Sequence, residues 1–216
     1  MHGDDLDTDT DDTPSAERGE SGGRKRPKPG ERRVQILQTL AAMLEQPGAE
    51  RVTTAALAAR LQVSEAALYR HFASKAQMFE GLIEFIESSV FGLVQQITQR
   101  ETDPRQCAAR LVAMLLQFGE KNPGMVRVMV GDALVFEHER LQQRMNLFFD
   151  KFDAALRQAL REATPASDTP TVDANVLAGV LTAFAVGRLQ RFARSGFRRA
   201  PTEQLDAALA LVLAGV

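Results

Sequence analysis

From Arg33 to the C-terminus the large apolar residues recur three and four positions apart, with no stretch of one-by-one alternation. At about 3.6 residues per turn such residues share one face of a helix, whereas a half-buried strand needs a period of two. A chain patterned this way folds as helices packed on helices. Val34, Ile36, Leu37, Leu40, Met43 and Leu44 make a first amphipathic helix that ends near Pro47-Gly48. Thr53 is placed to cap a short second helix to about Leu61, with Leu57, Ala58 and Leu61 inward. Ser64 caps a third, Glu65 to Phe72, whose first turn carries an acid at the positive end of the helix dipole. Ser74-Lys75-Ala76-Gln77 is a capping box opening a long fourth helix to about Arg100. Asp103-Pro104 is an N-cap and first-turn proline pair, and the fifth helix that it starts stops near Lys121, at Asn122-Pro123-Gly124. Helical patterns continue over 124–132, 136–163, 172–195 and 202–214, with a Pro/Thr/Ser loop from Thr164 to Thr171. The expected fold is all-α, with about nine helices.

Composition narrows the class. With 44% hydrophobic residues the chain can bury a proper core, and no run of about 18 apolar residues marks a membrane span. The N-terminus is acidic where a signal peptide would be basic and then apolar. A single cysteine, Cys107, excludes an intramolecular disulfide and fits a reducing cytoplasm. Three scattered histidines make no zinc site, and neither a phosphate-binding glycine loop nor a nucleophile elbow is present. No metal, cofactor or catalytic residue is therefore expected, and the chain does not read as an enzyme.

The net charge of −2 conceals a segregation: residues 1–23 sum to −7, residues 24–80 to +5 and residues 81–216 to zero. A basic N-terminal region on a neutral body is the footprint of a nucleic-acid-binding head. The organisation expected is an acidic tail and basic arm over 1–30, a DNA-binding head over 31–76, and a helical body over 77–216. The tail, rich in Asp, Thr, Ser and Gly, is expected to be disordered.

Two short helices between Thr53 and Phe72, joined near Gln62-Val63, have helix-turn-helix proportions. Val63 and Leu68 anchor the second of them, which leaves Glu65, Ala66, Tyr69 and Arg70 outside. Ala66 and Ala67 are small enough to let a helix backbone approach base edges. Thr53-Thr54-Ala55-Ala56-Leu57-Ala58, Val63-Ser64-Glu65-Ala66-Ala67-Leu68-Tyr69-Arg70-His71-Phe72 and Ser74-Lys75 resemble the DNA-binding head of TetR-type regulators. The resemblance implies that Thr53, Thr54, Ser64, Glu65, Ala66, Tyr69, Arg70, His71 and Lys75 form the DNA-binding set. Within it Tyr69, His71 and Lys75 contact phosphates, while the N-terminal part of the third helix enters the groove. Arg70 reaches either a guanine edge or a phosphate. The family usually has Gly in the turn; a left-handed backbone there costs Gln62 on the order of 1 kcal/mol relative to Gly.

The resemblance extends into the body, over about residues 31–210. Leu82-Ile83-Glu84-Phe85-Ile86-Glu87, Phe118-Gly119-Glu120-Lys121-Asn122-Pro123-Gly124, Ala133-Leu134-Val135-Phe136-Glu137 and Arg191-Phe192-Ala193-Arg194-Ser195-Gly196-Phe197 resemble a division-inhibiting branch of the family. That branch implies nucleoid occlusion: homodimers, paired on palindromic chromosomal DNA, engage the tubulin-like protein FtsZ and block ring assembly over the nucleoid. It also implies a cytoplasmic, nucleoid-associated protein. The apolar surface of the fourth helix exceeds one stripe, and Phe85 and Leu93, with Met114, Lys121 and Asn122, are expected to line a groove for an extended peptide, though packing of Phe85 between the fourth and fifth helices accounts for that residue as well. The branch has Arg and Gly where this chain has Leu93 and Gln117. Leu141, Met145, Phe148, Phe149, Phe152, Leu156 and Leu160, with Val176, Leu177, Val180, Leu181, Phe184, Val186, Leu189 and Phe192, are expected to build a dimeric four-helix bundle, though one chain's own core accounts for the same stripes. Glu137-His138-Glu139 reads as a solvated helix start. The alternative is a ligand-responsive transcriptional repressor, which needs an apolar pocket in the body with convergent polar groups; Gln117 and Asn175 are the polar residues expected on inner faces.

Overall fold

The structure is a computed structural model and describes residues 30–46, 51–161 and 173–214. The acidic tail, most of the basic arm, Pro47-Gly48 and the loop Thr164–Thr171 lie outside the described residues. Nine α-helices and one 3-10 turn, with no strand, make up the described chain: α1 Glu31–Leu44, α2 Thr54–Leu61, α3 Glu65–Tyr69, α4 Lys75–Arg100, α5 Pro104–Lys121, α6 Pro123–Met129, α7 Glu139–Arg161, α8 Ala174–Arg194 and α9 Leu205–Leu213.

The N-termini form where local chemistry puts them. The amides of Ala56, Ala67 and Gln77 donate to the hydroxyls of Thr53, Ser64 and Ser74, each at 3.2 Å. The Gln106 amide donates to Asp103 Oδ1 at 2.8 Å, ahead of Pro104. Each bond satisfies a donor that the helix cannot satisfy itself. The box at α4 is offset by one residue, because Gln77 Oε1 accepts from the Ala73 amide at 2.9 Å.

Four boundaries differ from the sequence expectation, one of them the start of α9, which lies at Leu205 behind left-handed Gln204 and not at 202. Helix α3 ends at Tyr69, not Phe72: the His71 and Phe72 amides both donate to the Leu68 carbonyl, which closes a turn. Phe72 looked like a helical continuation because it lies four residues after Leu68, yet it is buried from that turn under the Arg33 guanidinium, 4.1 Å from its ring centroid. Helix α6 stops at Met129, and Asp132–Leu134 form a separate 3-10 turn behind left-handed Gly131. The expected helix over 136–163 begins only at Glu139.

Gln62 has φ 55° and ψ 46°, so the left-handed turn exists without glycine. The Val63 amide donates to Ala58 O and the Gln62 amide to Ala59 O, a Schellman closure that fixes the entry to α3. Gln62→Gly is expected to relieve about 1 kcal/mol of backbone strain and raise the melting temperature by about 2–4 °C. A scanning calorimetry trace with no rise would mean that the side chain of Gln62 repays the strain.

Helix α4 is shared between two layers. It buries Met78, Phe79, Leu82, Ile83, Ile86, Val90 and Val94, and it packs on α1 of the head and on α5, α6 and α7 of the body. Phe91 meets Phe148 of α7 at 5.4 Å between centroids. Arg144 of α7 donates to Glu87 of α4 at 2.5 Å, and that bond is the main reason its guanidinium holds its proton more tightly than usual. Helix α8 contains no run of 18 apolar residues, but by length and mean hydropathy it is apolar enough to cross a membrane. Its Leu177, Ala178, Leu181, Ala185 and Leu189 are instead buried, in a helix that packs on α5, α6 and α7 as a core helix would. Gln117 and Asn175, expected on inner faces, are both exposed.

Candidate nucleic-acid interface

Helices α1, α2 and α3 close on Ile36, Leu40, Leu57 and Leu68, each about 1% exposed or less. That small core leaves the opposite side of α3 in solvent. Glu65, Ala66, Tyr69, Arg70 and His71 are exposed together with Thr53 and Ser64, so one surface carries most of the expected set. Tyr69 is 45% exposed, far more than a packed aromatic. Thr54 Oγ1 donates to Glu65 Oε2 at 2.6 Å, joining the start of α2 to the start of α3 and fixing how α3 projects. Arg33 donates to the His71 carbonyl, which holds the α3–α4 turn while the imidazole faces out. Sequence reading missed Arg33 because its partner is 38 residues away.

Lys75 stands apart from the rest. Its ammonium is paired with Glu137 and lies 5.7 Å from the Phe79 ring centroid. Glu137, whose side chain is only 11% exposed, is therefore not part of a solvated helix start. The pair ties the first turn of α4 to the segment ahead of α7. Beside it Arg51 lies over Phe136, 6.0 Å from the ring centroid. Further along, Arg140 pairs with Glu80 at 2.8 Å.

The body residues separate into two groups. Phe85 and Leu93 are 47% and 39% exposed on α4, and a Cβ built on Gly92 meets nothing within 4 Å. Met114 is core, at 9% exposure. Lys121 is exposed, while Asn122 Nδ2 donates to the Phe118 carbonyl at 2.7 Å and closes the end of α5. Helices α4 and α5 are joined by three residues and packed on each other, so they run antiparallel. At about 1.5 Å per residue, Lys121 and Asn122 return to the level of Phe85. The apolar stripes of α7 and α8 are mostly consumed within the chain: Met145, Phe148, Phe152, Leu156, Leu181 and Leu189 are fully buried. Leu147, Val176 and Val180 remain exposed on the outer side of the α7–α8 pair.

Near its C-terminal end α5 packs closely on α6 and α8. A Cβ added at Gly119 would lie 2.5 Å from Leu189 Cδ2 and 3.0 Å from Val126 Cγ2.

Comparison with known proteins accords with this geometry. Residues 36–82 match the family model for bacterial regulatory proteins of the tetR family, and residues 106–215 match an SlmA-like, tetracyclin repressor-like C-terminal domain. The chain is 50% identical over 185 residues to the nucleoid occlusion factor SlmA of Enterobacter sp. (strain 638), covering 85% of this chain and 93% of that protein. It is 49% identical over 177 residues to the protein of the same name in Idiomarina loihiensis, covering 82% and 90%. Among solved structures, the TetR family regulator PfmR from Thermus thermophilus has a TM-score of 0.70 at 21% identity, covering 84% of this chain and 98% of that one. The fatty acid degradation regulator FadR from Bacillus halodurans has a TM-score of 0.69 at 16% identity, covering 88% and 98%. At those identities the two structures share the fold alone.

Proposed function

Because the chain belongs to the SlmA nucleoid occlusion factors of the TetR family, we propose that it binds palindromic chromosomal sites as paired homodimers, engages FtsZ there and blocks division-ring assembly over the nucleoid. It is a DNA-binding regulator and not an enzyme. The observation that carries this proposal is the retention of SlmA likeness across the body, where family members that share only the head diverge. The exposed surface of α3 supplies the groove-reading element, and the leftover apolar residues Leu147, Val176 and Val180 supply the seam for a second copy. Dimerisation would set two α3 helices about 34 Å apart or a multiple of it, the spacing of successive major grooves on one side of a duplex. A protein acting this way is cytoplasmic and nucleoid-associated.

The test is co-sedimentation of the purified chain with FtsZ polymers, with and without palindromic genomic fragments selected by the chain itself. The reading requires DNA-enhanced binding together with loss of polymer. Selective DNA binding with no effect on FtsZ would instead identify a transcriptional repressor.

Lys75 has to exchange Glu137 for a DNA phosphate if it belongs to the contact set. Lys75→Ala is then expected to weaken binding to all sequences alike and to reduce the slope of log affinity against log salt by about 0.9, one phosphate. A salt titration with the slope unchanged would leave Lys75 as a link between head and body only.

A further inference from the structure

Arginine is concentrated in one further place, remote in sequence from the head. The last turns of α8 and the segment leading to α9 carry Arg188, Arg191, Arg194, Arg198 and Arg199 within twelve positions. Four of them, Arg188, Arg191, Arg198 and Arg199, line a single open concavity of roughly 800 Å³, together with Thr202 and Glu203. Cations at a helix C-terminus ordinarily complement the helix dipole, which one or two would do. Four around one hollow exceed that need.

The four guanidiniums outnumber the two carboxylates beside them, Glu203 and the Glu120 that accepts from Thr202. Glu203 is the carboxylate lining the hollow, and it lies 3.9 Å from Arg191 and is more than half exposed. Arg188 donates to the carbonyls of Pro201 and Glu203, so its guanidinium is held in place by backbone and not by an anion. Burial first, and the neighbouring Arg191 second, make its proton easier to lose than that of an ordinary arginine. The segment itself is well anchored: Thr202 donates to Glu120 of α5, and Ser195 Oγ accepts from the Arg198 and Arg199 amides at 3.1 and 3.0 Å. Behind it, Arg127 of α6 is 92% buried with its guanidinium 5.2 Å from the Phe197 ring centroid. Its Nε is buried without a hydrogen-bond partner, and among the described residues no carboxylate pairs with it. With the Arg188 and Arg198 guanidiniums held by backbone carbonyls and Arg191 and Arg199 exposed beside them, the hollow offers guanidinium forks with surplus positive charge to a phosphate oxyanion, two oxygens to a fork.

We propose that this hollow is a binding site for a free, small, phosphate-bearing anion, separate from the DNA-binding head. The inference stands independently of the FtsZ reading. Its dimensions suit a diphosphate group with room for the rest of a nucleotide-sized ligand. Inorganic pyrophosphate is the probe, titrated calorimetrically into the full chain, free and then saturated with its DNA site. Pyrophosphate is expected to bind with the same affinity in both states, and Arg191→Gln or Arg199→Gln is expected to weaken it at least tenfold with unchanged DNA affinity and melting temperature. Arg188→Gln is a poorer probe because Arg188 also holds the segment in place. Competition between pyrophosphate and DNA, with Arg70→Gln abolishing both, would put the anion on the head and overturn the proposal. Absence of pyrophosphate binding to the free chain would overturn it equally.

Discussion

Gly124→Ala is expected to lower the melting temperature by roughly 6–12 °C and to cost DNA affinity with it. Gly124 is the second residue of α6, and a Cβ there would sit 2.1 Å from the carbonyl oxygen of Ala41 in α1, with Ala41 C and Cα at 2.9 and 3.3 Å. The obstacle is backbone, so no side-chain rotation relieves it, and α1 must move away from α6 as a unit. Overpacking typically costs about 1–3 kcal/mol, and a backbone clash belongs at the top of that range. At about 2–4 °C per kcal/mol for a chain of this size, the shift follows. Because α1 carries the Arg33 clamp on the α3–α4 turn, displacing it also disturbs the surface proposed to read DNA. Two further glycines calibrate the result. Gly119→Ala meets the flexible end of Leu189 at 2.5 Å and should cost less, whereas Gly92→Ala meets nothing and should be neutral or gain up to about 1 kcal/mol of helix propensity. Calorimetry on the three variants should return that order; Gly124→Ala melting with wild type would refute the close approach of α1 and α6.

The same glycine marks where sequence reading reaches its limit. Asn122-Pro123-Gly124 is legible as a helix stop, and α5 does stop there, but the reason Gly124 has to be glycine is a helix more than 80 positions earlier. Local chemistry is readable because both partners lie within one turn, so Thr53, Ser64, Ser74 and Asp103 cap the helices expected of them. Non-local chemistry is not. The Lys75–Glu137 pair spans 62 positions, and nothing in the run Glu137-His138-Glu139 marks one acid as nearly buried. Periodicity likewise reports that a face is apolar without saying what covers it: Phe148 and Leu181 turn inward, while Leu147 and Val180 on the same two helices stay in solvent. The arginine hollow was hidden for another reason, since charge summed over residues 81–216 cancels to zero.

Phe85→Ala should separate the two activities proposed for the chain. Phe85 is 47% exposed and lies off the stripe of Met78, Leu82, Ile86 and Val90 that builds the core of α4. Truncating it removes little buried contact, so stability should change by no more than about 0.5 kcal/mol and DNA binding should persist. An exposed aromatic that anchors a partner costs about 2 kcal/mol or more when truncated, which is roughly a 30-fold loss of affinity. The expected result is therefore an unchanged melting curve, an unchanged DNA titration and at least 30-fold weaker binding to FtsZ. Met114→Ala gives the contrast. At 9% exposure Met114 is core, and its loss should cost about 2–5 kcal/mol and depress every activity in proportion to the unfolded fraction. If Phe85→Ala instead behaves like Met114→Ala, with melting and both affinities falling together, Phe85 supports the packing of α4 and the partner surface must be sought elsewhere. If only FtsZ binding falls, the part of α4 from Phe85 to Leu93 is where the body meets its partner.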